Sequence, residues 1–225
     1  MERRKNMKLK AIITGATGMV GEGVLKVCLE HPDIESILSL SRRSCGISHP
    51  KLKEIIHDNF YDLSPVEEHL SGYDACFFCL GVTSVNKKEP EYYKLTYTLT
   101  TGVARTLSKL NPGMTFCYIS GSGTDSTENG RMMWARVKGK TENDLMKMPF
   151  KRVYAFRPGL LSPEKGSKNV SGIFVVARIL YPGLRLIMPK YVSTLKELGL
   201  AMINSASKGY EKQILEVPDI LKLAR

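Results

Sequence analysis

Short runs of β-branched and aromatic residues alternate along this chain with longer segments in which apolar residues recur at helical spacing. The runs typical of strands lie at Leu9–Thr14, Ser36–Leu40, Glu54–His57, Tyr73–Leu80, Met114–Ser120 and Arg152–Phe156. The helical segments between them are Met19–Glu30, Glu89–Leu110 and Met132–Met146. Parallel strands need long crossover connections, which helices usually provide. The pattern therefore predicts an α/β fold with helices on both faces of a doubly wound parallel sheet.

The composition changes beyond Pro158, because residues 159–169 are rich in Gly, Ser, Pro and Lys. Two helical segments and one strand are predicted further along, at Val170–Leu180, Thr194–Ser205 and Gln213–Val217. Pro218 then suits the first turn of a short C-terminal helix. We therefore expect a main domain over residues 1–158 and a small C-terminal lobe over residues 159–225, packed together as a single structural unit.

A glycine-rich stretch directly follows the first predicted strand and opens the first helix, with the spacing G-x-x-G-x-x-G. Glycines at such a turn let a pyrophosphate approach backbone N–H groups, and the helix N-terminus adds a partial positive charge. In this strand–turn–helix context the motif predicts the dinucleotide site of a Rossmann fold. The expected cofactor contacts in the turn are Gly15, Thr17, Gly18, Met19, Val20 and Gly21.

Two arginines follow the second predicted strand. An NAD-binding protein usually has an acidic residue here, about 20 residues beyond the glycine loop, to hold the ribose hydroxyls. This chain has Arg42 and Arg43 instead. Guanidinium groups bind a 2′-phosphate well, so NADP(H) is favoured over NAD(H). The alternative is a solvated arginine pair on a basic surface.

Further cofactor contacts are expected after the third and fourth strands, because ligands of doubly wound sheets bind at the carboxyl ends of the strands. Asp58 follows the third strand and is a candidate either for an adenine contact or for capping a helix. Leu80, Gly81 and Thr83 follow the fourth strand and are expected under the ribose and nicotinamide.

Six motifs occur in one order along the chain: Thr14-Gly-Ala-Thr-Gly-Met-Val-Gly21, Leu40-Ser-Arg-Arg43, Cys79-Leu-Gly-Val-Thr83, Ser120-Gly-Ser122, Val137-Lys-Gly139 and Phe156-Arg-Pro-Gly-Leu160. In this order they resemble an atypical, epimerase-like short-chain dehydrogenase/reductase, nearest the branch of the Tat-interacting-protein-type oxidoreductase. The resemblance covers roughly residues 9 to 165. It implies an NADP-binding Rossmann fold with a Ser–Tyr–Lys catalytic constellation.

Carried over to this chain, the resemblance places the family's lysine at Lys138, where it would hold the nicotinamide ribose. The family's serine matches Ser122, with Ser120 as the alternative. The family's tyrosine falls four residues before the lysine, and this chain has Trp134 there. An indole N–H donates a hydrogen bond but is no proton-transferring acid near neutral pH.

Proton transfer would then need another source. The candidate proton sources are Lys138, a bound water, or a tyrosine of the cluster Tyr92, Tyr93 and Tyr97.

Two functional classes follow. The first is an NADP(H)-dependent oxidoreductase or epimerase-like enzyme that acts on a small carbonyl, quinone or sugar-derived substrate under the C-terminal lobe. The second is a dinucleotide-sensing regulatory protein that keeps the cofactor site and has lost turnover, with Trp134 as the visible loss. A nucleic-acid-binding protein ranks last, since no aromatic-basic motif accompanies the charge.

The charged residues, cysteines and histidines indicate the kind of ligand, the cellular compartment and whether a metal is bound. The 225 residues carry 33 basic and 22 acidic side chains, a net charge of +11 that favours an anionic ligand. The 5 cysteines lack regular spacing and the 4 histidines lack metal-ligand spacing, so we expect a reducing compartment, the cytoplasm, and no metal.

No transmembrane segment or secretory signal is expected, since the apolar stretch Val170–Met188 contains two arginines and a proline. A pocket wall or ordinary core is favoured for this stretch over an interface or contact with an acidic membrane. Expected partners are a small-molecule substrate and no nucleic acid, with the chain a monomer or homodimer.

Overall fold

Nine strands, seven of them in one parallel sheet, form the centre of the part of the protein that the structure describes. The computed structural model describes residues 8–162, 181 and 183–225. The strands are β1 (Leu9–Thr14), β2 (Ile34–Ser41), β3 (Leu52–Ile56), β4 (Ala75–Phe78), β5 (Thr115–Ile119), β6 (Arg152–Arg157), β7 (Leu160–Ser162), β8 (Val192–Thr194) and β9 (Ile214–Glu216). The central sheet has the order β3-β2-β1-β4-β5-β6-β9, and β7 and β8 pair in a separate small parallel sheet.

Helices cover the sheet on both faces. They are α1 (Met19–Glu30), α2 (Glu89–Tyr93), α3 (Leu99–Leu110), α4 (Met133–Leu145), α5 (Leu195–Lys208) and α6 (Val217–Leu223). A π-helical turn over Lys94–Thr98 joins α2 to α3, a 3₁₀ turn spans Ser64–His69, and residues 183–187 are helical.

The strand register fixes which segments meet at the ligand-binding edge. Thr14, the last residue of β1, lies beside Leu40 of β2 on one side and Phe78 of β4 on the other. Phe78 in turn lies beside Tyr118 of β5. Strand order reverses between β1 and β4, the switch point at which doubly wound sheets bind ligands. The loops after β1, β2, β4 and β5 therefore converge on one crevice.

The predicted α/β fold with a doubly wound parallel sheet is confirmed, and β1 and α1 have the predicted bounds. The predicted strand Tyr73–Leu80 is shorter, ending at Phe78, where the turn after β1 reaches the Cys79 carbonyl. The predicted helix Glu89–Leu110 is present but contains the π-helical turn. The helix predicted at Val170–Leu180 lies outside the described residues.

The C-terminal segment contributes to the main body of the protein. Helix α5 buries Leu195, Leu198 and Met202 in the same apolar core as α1, and β9 extends the central sheet beside β6. A capping box formed by Thr194 and Glu197 fixes the start of α5. The division of the chain at residue 158 stays a prediction.

Helix α1 packs unusually close to the turn that precedes it. A Cβ atom placed on Gly21 would overlap the carbonyl group of Gly15. The absence of a side chain at Gly21 is therefore what allows the helix N-terminus to lie directly behind the glycine turn.

We predict that Gly21→Ala lowers the free energy of unfolding by about 3 kcal/mol, because backbone rather than a flexible side chain would have to move. Gly102 in α3 is the matched control, since a Cβ there meets nothing within 4 Å. Gly102→Ala should raise stability by up to about 1 kcal/mol through helix propensity. Urea unfolding measures both, and a Gly21→Ala variant as stable as the unmodified protein would contradict the packing argument.

Candidate active site

The glycine turn presents backbone donors to the crevice. Gly15 has φ +71°, a backbone conformation that residues with side chains rarely adopt. Its ideal Cβ position also lies 2.7 Å from the Cys79 carbonyl oxygen, so a side chain at this position would overlap the backbone. Gly18 donates its N–H to the Gly15 carbonyl at 2.9 Å and is the N-cap of α1, with no side-chain cap. The N–H groups of the first helical turn, including those of Met19 and Val20, lack intrahelical acceptors. This arrangement suits a pyrophosphate.

Arg42 and Arg43 lie just past the end of β2, and both are exposed. Leu40 is paired with Thr14, so the two arginines begin two residues beyond the pair that borders the glycine turn. Within the described part of the chain neither guanidinium is in an ion pair. Two uncompensated positive charges therefore stand at the β2 side of the crevice.

Asp58 follows β3 and is exposed, and its carboxylate makes no hydrogen bond to another described residue. The carboxylate of Asp62, just before the nearby 3₁₀ turn, is engaged instead, because its Oδ1 accepts from Ser64 N at 3.0 Å and from Ser64 Oγ at 2.7 Å. These hydrogen bonds lower the pKa of Asp62. Asp58 is thus left available to a ligand.

The loop after β4 leaves room between β1 and β4. Leu80 donates its N–H to Thr14 Oγ1 at 3.3 Å, which ties the loop to the sheet. Gly81 is exposed, and a Cβ added there would meet nothing within 4 Å, so protein packing alone does not require a glycine. Thr83 is exposed and its hydroxyl accepts from Val85 N at 3.2 Å. Thr17, in the facing turn, is partly buried.

The two candidate serines have different surroundings. Ser120 is buried, and its hydroxyl donates to the Phe156 carbonyl at 3.1 Å. Ser122 is exposed; its backbone N–H donates to the Pro158 carbonyl at 2.9 Å, and its hydroxyl bonds to no other described residue. The hydroxyl of Ser122 can therefore form a hydrogen bond with a substrate oxygen. The hydroxyl of Ser120 is already used in a hydrogen bond that joins the end of β5 to β6.

Lys138 projects from α4 toward the same loop. Its ammonium donates to the Ser120 carbonyl oxygen, which places Nζ at the carboxyl end of β5. Burial lowers the pKa of Lys138 to about 8, although the nearby Glu142 carboxylate acts in the opposite direction. This amine therefore changes its protonation state close to neutral pH.

Trp134 lies one helical turn before Lys138, on the same face of α4. Gly123 faces its six-membered ring, because the ideal Cβ position of this glycine is 3.4 Å from Cη2 of the indole. The indole thus packs against the loop that carries Ser122. The spacing of four residues places Trp134 and Lys138 on one face of α4, and the role inferred for this position from the resemblance stays a prediction.

The tyrosine cluster on α2 and the π-helical turn is engaged elsewhere. Tyr97 donates its hydroxyl to Asp144 Oδ2 at 2.8 Å, and burial together with this carboxylate raises its pKa to about 12. Tyr93 packs its ring on that of Tyr97, with the centroids 4.6 Å apart. Tyr92 is fully buried, and burial raises its pKa. These environments weaken all but Tyr93 as proton donors.

Sequence reasoning missed a buried ion pair that holds this site together. Arg157, at the end of β6, donates Nε to Glu142 Oε1 at 3.0 Å, and its Nη2 bonds both Glu142 Oε2 and Ser126 Oγ. Glu142 is fully buried, and Arg157 also pairs with Glu216 of β9 at 3.3 Å. The only sequence signal was the position of Glu142 four residues after Lys138.

No group of three or more His, Cys, Asp or Glu side chains in the described ranges is placed to hold a metal ion. Nor does any helix described there have the length and apolar character needed to cross a membrane.

The family profile described as "Semialdehyde dehydrogenase, NAD binding domain" matches residues 10–99, which include the glycine turn, the arginine pair and the loop after β4. The chain therefore contains an NAD(P)-binding Rossmann-like domain.

Relatives and solved structures add detail. "Protein FMP52, mitochondrial" of Eremothecium gossypii is 29% identical over 226 residues, with 96% of this chain and 98% of the relative covered. The Candida albicans protein of the same name is 27% identical and covers 73% of this chain and 72% of its own length.

Among solved structures, a UDP-N-acetylglucosamine 4-epimerase from Methanobrevibacter ruminantium has a TM-score of 0.65 at 16% identity, covering 92% of this chain and 75% of that chain. An NADP complex of a short chain dehydrogenase from Burkholderia cenocepacia has a TM-score of 0.64 at 13% identity, covering 93% and 87%. These structures share the fold of the chain.

The relatives contradict the expected cytoplasmic location, because they are named mitochondrial. The expectation rested on free cysteines and the lack of a recognisable signal. All five cysteines are indeed free. Free thiols indicate reducing surroundings, however, and do not distinguish one reducing compartment from another.

The lowered pKa of Lys138 predicts a pH-dependent stability. The folded protein binds the proton on Lys138 less tightly than the unfolded chain does. The free energy of unfolding therefore increases with pH between about pH 8 and the ordinary lysine pKa of 10.5. Replacement by methionine, Lys138→Met, should stabilise the protein by about 1 kcal/mol or more at pH 7. That advantage should shrink as the pH rises from 8 to 10.

Urea unfolding across this pH range measures the difference. Lys151→Met, at an exposed position, is the control and should change stability by less than about 0.5 kcal/mol. An advantage of Lys138→Met that is independent of pH would show that the ammonium is not destabilised by burial.

Proposed function

We propose that this protein is an NADP(H)-dependent oxidoreductase or epimerase-like enzyme that acts on a small carbonyl, quinone or sugar-derived substrate. The observation that carries the proposal is that Arg42 and Arg43, which form no ion pair with another described residue, lie beside the glycine turn at the same sheet edge as Lys138 and Ser122. The motif order further supports placing it near the Tat-interacting-protein-type branch of the atypical short-chain dehydrogenase/reductases.

The residues present fit the cofactor. The N–H groups at the start of α1 would hold the pyrophosphate, and Arg42 and Arg43 the 2′-phosphate. Asp58 would contact the adenine, and Lys138 the nicotinamide ribose. The open space above Gly81 would receive the nicotinamide end. Hydride transfer is the chemistry that a bound nicotinamide supplies.

The protein's own groups orient the substrate and handle its proton. Ser122 would donate a hydrogen bond to the substrate oxygen, and Lys138 would hold or release a proton near pH 8. Trp134 packs against this loop and narrows the space beside Ser122 without serving as an acid.

The second candidate is a dinucleotide-sensing regulatory protein without turnover. Trp134 favours it, because the position of the family's proton-transferring tyrosine has no acid. General acid–base assistance typically contributes about 10²–10⁴ in rate, so its loss alone would leave a slow catalyst.

Location and assembly complete the proposal. The names of the relatives support a mitochondrial location for this chain. A small-molecule substrate, no nucleic-acid partner and a monomeric or homodimeric state are proposed with it.

The arginine assignment predicts a selective loss of NADPH affinity. Arg42→Glu with Arg43→Glu should weaken NADPH binding at least about 100-fold, because charge-assisted bonds to the 2′-phosphate are replaced by repulsion. NADH binding should change several-fold at most. Quenching of Trp134, the only tryptophan, reports the titrations, and calorimetry confirms them.

The matched control reverses two exposed charges on α3, Arg105→Glu with Lys109→Glu, and should leave the NADPH preference intact. Equal weakening of NADPH and NADH by the Arg42 and Arg43 changes would overturn the 2′-phosphate assignment. Absence of binding by either nucleotide to the unmodified protein would overturn the proposed function itself.

Restoring an acid at position 134 should separate the two candidate functions. For an enzyme, Trp134→Tyr should raise kcat/KM for NADPH-dependent carbonyl reduction by about 10²-fold. Trp134→Phe enlarges the same space without supplying an acid and should give no such gain. Absorbance of NADPH over a panel of carbonyls and quinones is the measurement. Equal rates for the two variants would show that the absence of an acid at position 134 does not limit the rate of carbonyl reduction.

A further inference from the structure

The turn that follows β2 carries Arg42 and Arg43, and neither side chain helps to hold it in place. Both arginines are exposed, and within the described part of the chain neither guanidinium forms a hydrogen bond or an ion pair. A turn without other contacts would have to be ordered whenever a ligand binds, at a cost in conformational entropy. The order of this arginine turn, residues 41–46, therefore depends on its other residues.

The arginine turn is held just before the two arginines. The Ser41 carbonyl, at the end of β2, accepts a hydrogen bond from His57 N–H at 3.0 Å. His57 directly follows β3, whose last residue, Ile56, is paired with Ser41. The start of the turn is thereby fixed to the strand at the edge of the central sheet.

The turn is held again just after the arginines, by one carboxylate of β3. Glu54 Oε2 accepts from the Ser44 hydroxyl at 2.7 Å, and Glu54 Oε1 accepts from Cys45 N–H at 2.8 Å. Ser44 Oγ also accepts from Gly46 N–H at 3.1 Å. Gly46 has φ +68°, a conformation that favours glycine. One side chain of β3 thus closes the arginine turn.

The Glu54 carboxylate takes its hydrogen bonds from neutral donors. Burial acts to raise its pKa, but the hydrogen bonds from Cys45 N–H and the Ser44 hydroxyl outweigh burial and lower the pKa of Glu54. Burial, together with the facing carboxylate, raises the pKa of the Cys45 thiol. Glu54 forms no ion pair with a described residue, so it holds the turn and leaves the charges of Arg42 and Arg43 available to a phosphate.

We propose that Glu54 is a positioning residue for NADPH recognition, which acts through Ser44 and Cys45 to hold the backbone of Arg42 and Arg43 in place before the cofactor binds. The inference rests on the proposed function and deepens it, because the preference for a 2′-phosphate then depends on a preformed turn as well as on the two guanidinium groups. Preorganisation of this kind improves affinity by removing the cost of ordering the turn on binding. NADH has no 2′-phosphate, so its binding should depend little on Glu54.

Glu54→Ala tests the proposal in nucleotide titrations of the full chain. The dissociation constant of NADPH should rise about tenfold and that of NADH less than about twofold, because only the 2′-phosphate contacts rely on the ordered turn. Removing a negative charge would by itself strengthen the binding of an anion, so a purely electrostatic role of Glu54 predicts the opposite sign. Glu35→Ala is the matched control. It removes a carboxylate from the amino end of β2, where Glu35 pairs with Lys10 at 3.4 Å, and should leave the NADPH preference unchanged.

Ser44 provides the partner variants, and because it is exposed they should fold even if Glu54→Ala does not. Ser44→Ala removes the hydroxyl that joins Glu54 to Gly46 and should weaken NADPH binding about threefold. Ser44→Thr keeps a hydroxyl and should restore NADPH binding. In the Glu54→Ala background Ser44→Ala should have little further effect, since both changes break the same hydrogen bond. Full additivity of the two changes would contradict an action through Ser44.

The reactivity of the Cys45 thiol reports the state of the turn without any nucleotide. Loss of the Glu54 carboxylate removes one of the causes that raise the pKa of this thiol, and it leaves Cys45 N–H without its acceptor. Glu54→Ala should therefore speed the modification of Cys45 by iodoacetamide at pH 8 about threefold or more, whereas Glu35→Ala should not. Peptide mass spectrometry identifies Cys45 among the five cysteines.

Three results in Glu54→Ala would overturn the positioning role while the proposed function stands: an unchanged ratio of NADPH to NADH affinity, an equal loss of affinity for both nucleotides, or an unchanged rate of Cys45 modification. The first would show that recognition does not need the anchored turn, the second a general structural defect, and the third that the carboxylate does not hold the turn. If the unmodified protein does not prefer NADPH, the proposed 2′-phosphate assignment fails and the role of Glu54 fails with it, whatever the thiol rates are.

Discussion

The buried ion pair between Arg157 and Glu142 is the interaction on which the geometry of the site depends. It joins the end of β6 to the last turn of α4, and the same guanidinium reaches Ser126 and Glu216. Removing one partner of such a pair typically costs about 3–5 kcal/mol, because the other charge is left buried and unpaired. Helix α4 carries both Trp134 and Lys138, so this pair determines where the two side chains stand relative to the loop after β5.

A second close contact fixes the position of the same helix against the loop at Asp125. A Cβ on Gly139 would overlap the Asp125 carbonyl, and Asp125 N–H donates to the Ala135 carbonyl at 3.1 Å. Contacts with both β6 and the 125–126 loop therefore hold the helix in place. A lysine with a pKa near 8 requires such confinement, since a mobile ammonium would move into water and regain its ordinary value.

Local pattern was sufficient to predict the framework of the protein and insufficient for the contacts within its site. Strand β1 and helix α1 have the bounds that their apolar spacing predicts, because both are fixed by burial against immediate neighbours. The pairing of Arg157 with Glu142 depends on strand order and helix orientation together, which no short motif encodes. The burial of Ser120 and the exposure of Ser122 likewise arise from how β5 meets β6.

The π-helical turn between α2 and α3 determines how α2 is rotated about the helix axis relative to α3. One extra residue per turn offsets α2 by about 100° from the orientation that an uninterrupted α-helix would give. In the observed phase, Glu89 at the start of α2 reaches Arg136 on α4 at 2.7 Å. Shortening the turn by a single residue would restore regular helical geometry while rotating Glu89 away from its partner. A one-residue irregularity in the helix thus allows the ion pair that anchors the start of α2 to α4, where the loop over residues 82–88 ends.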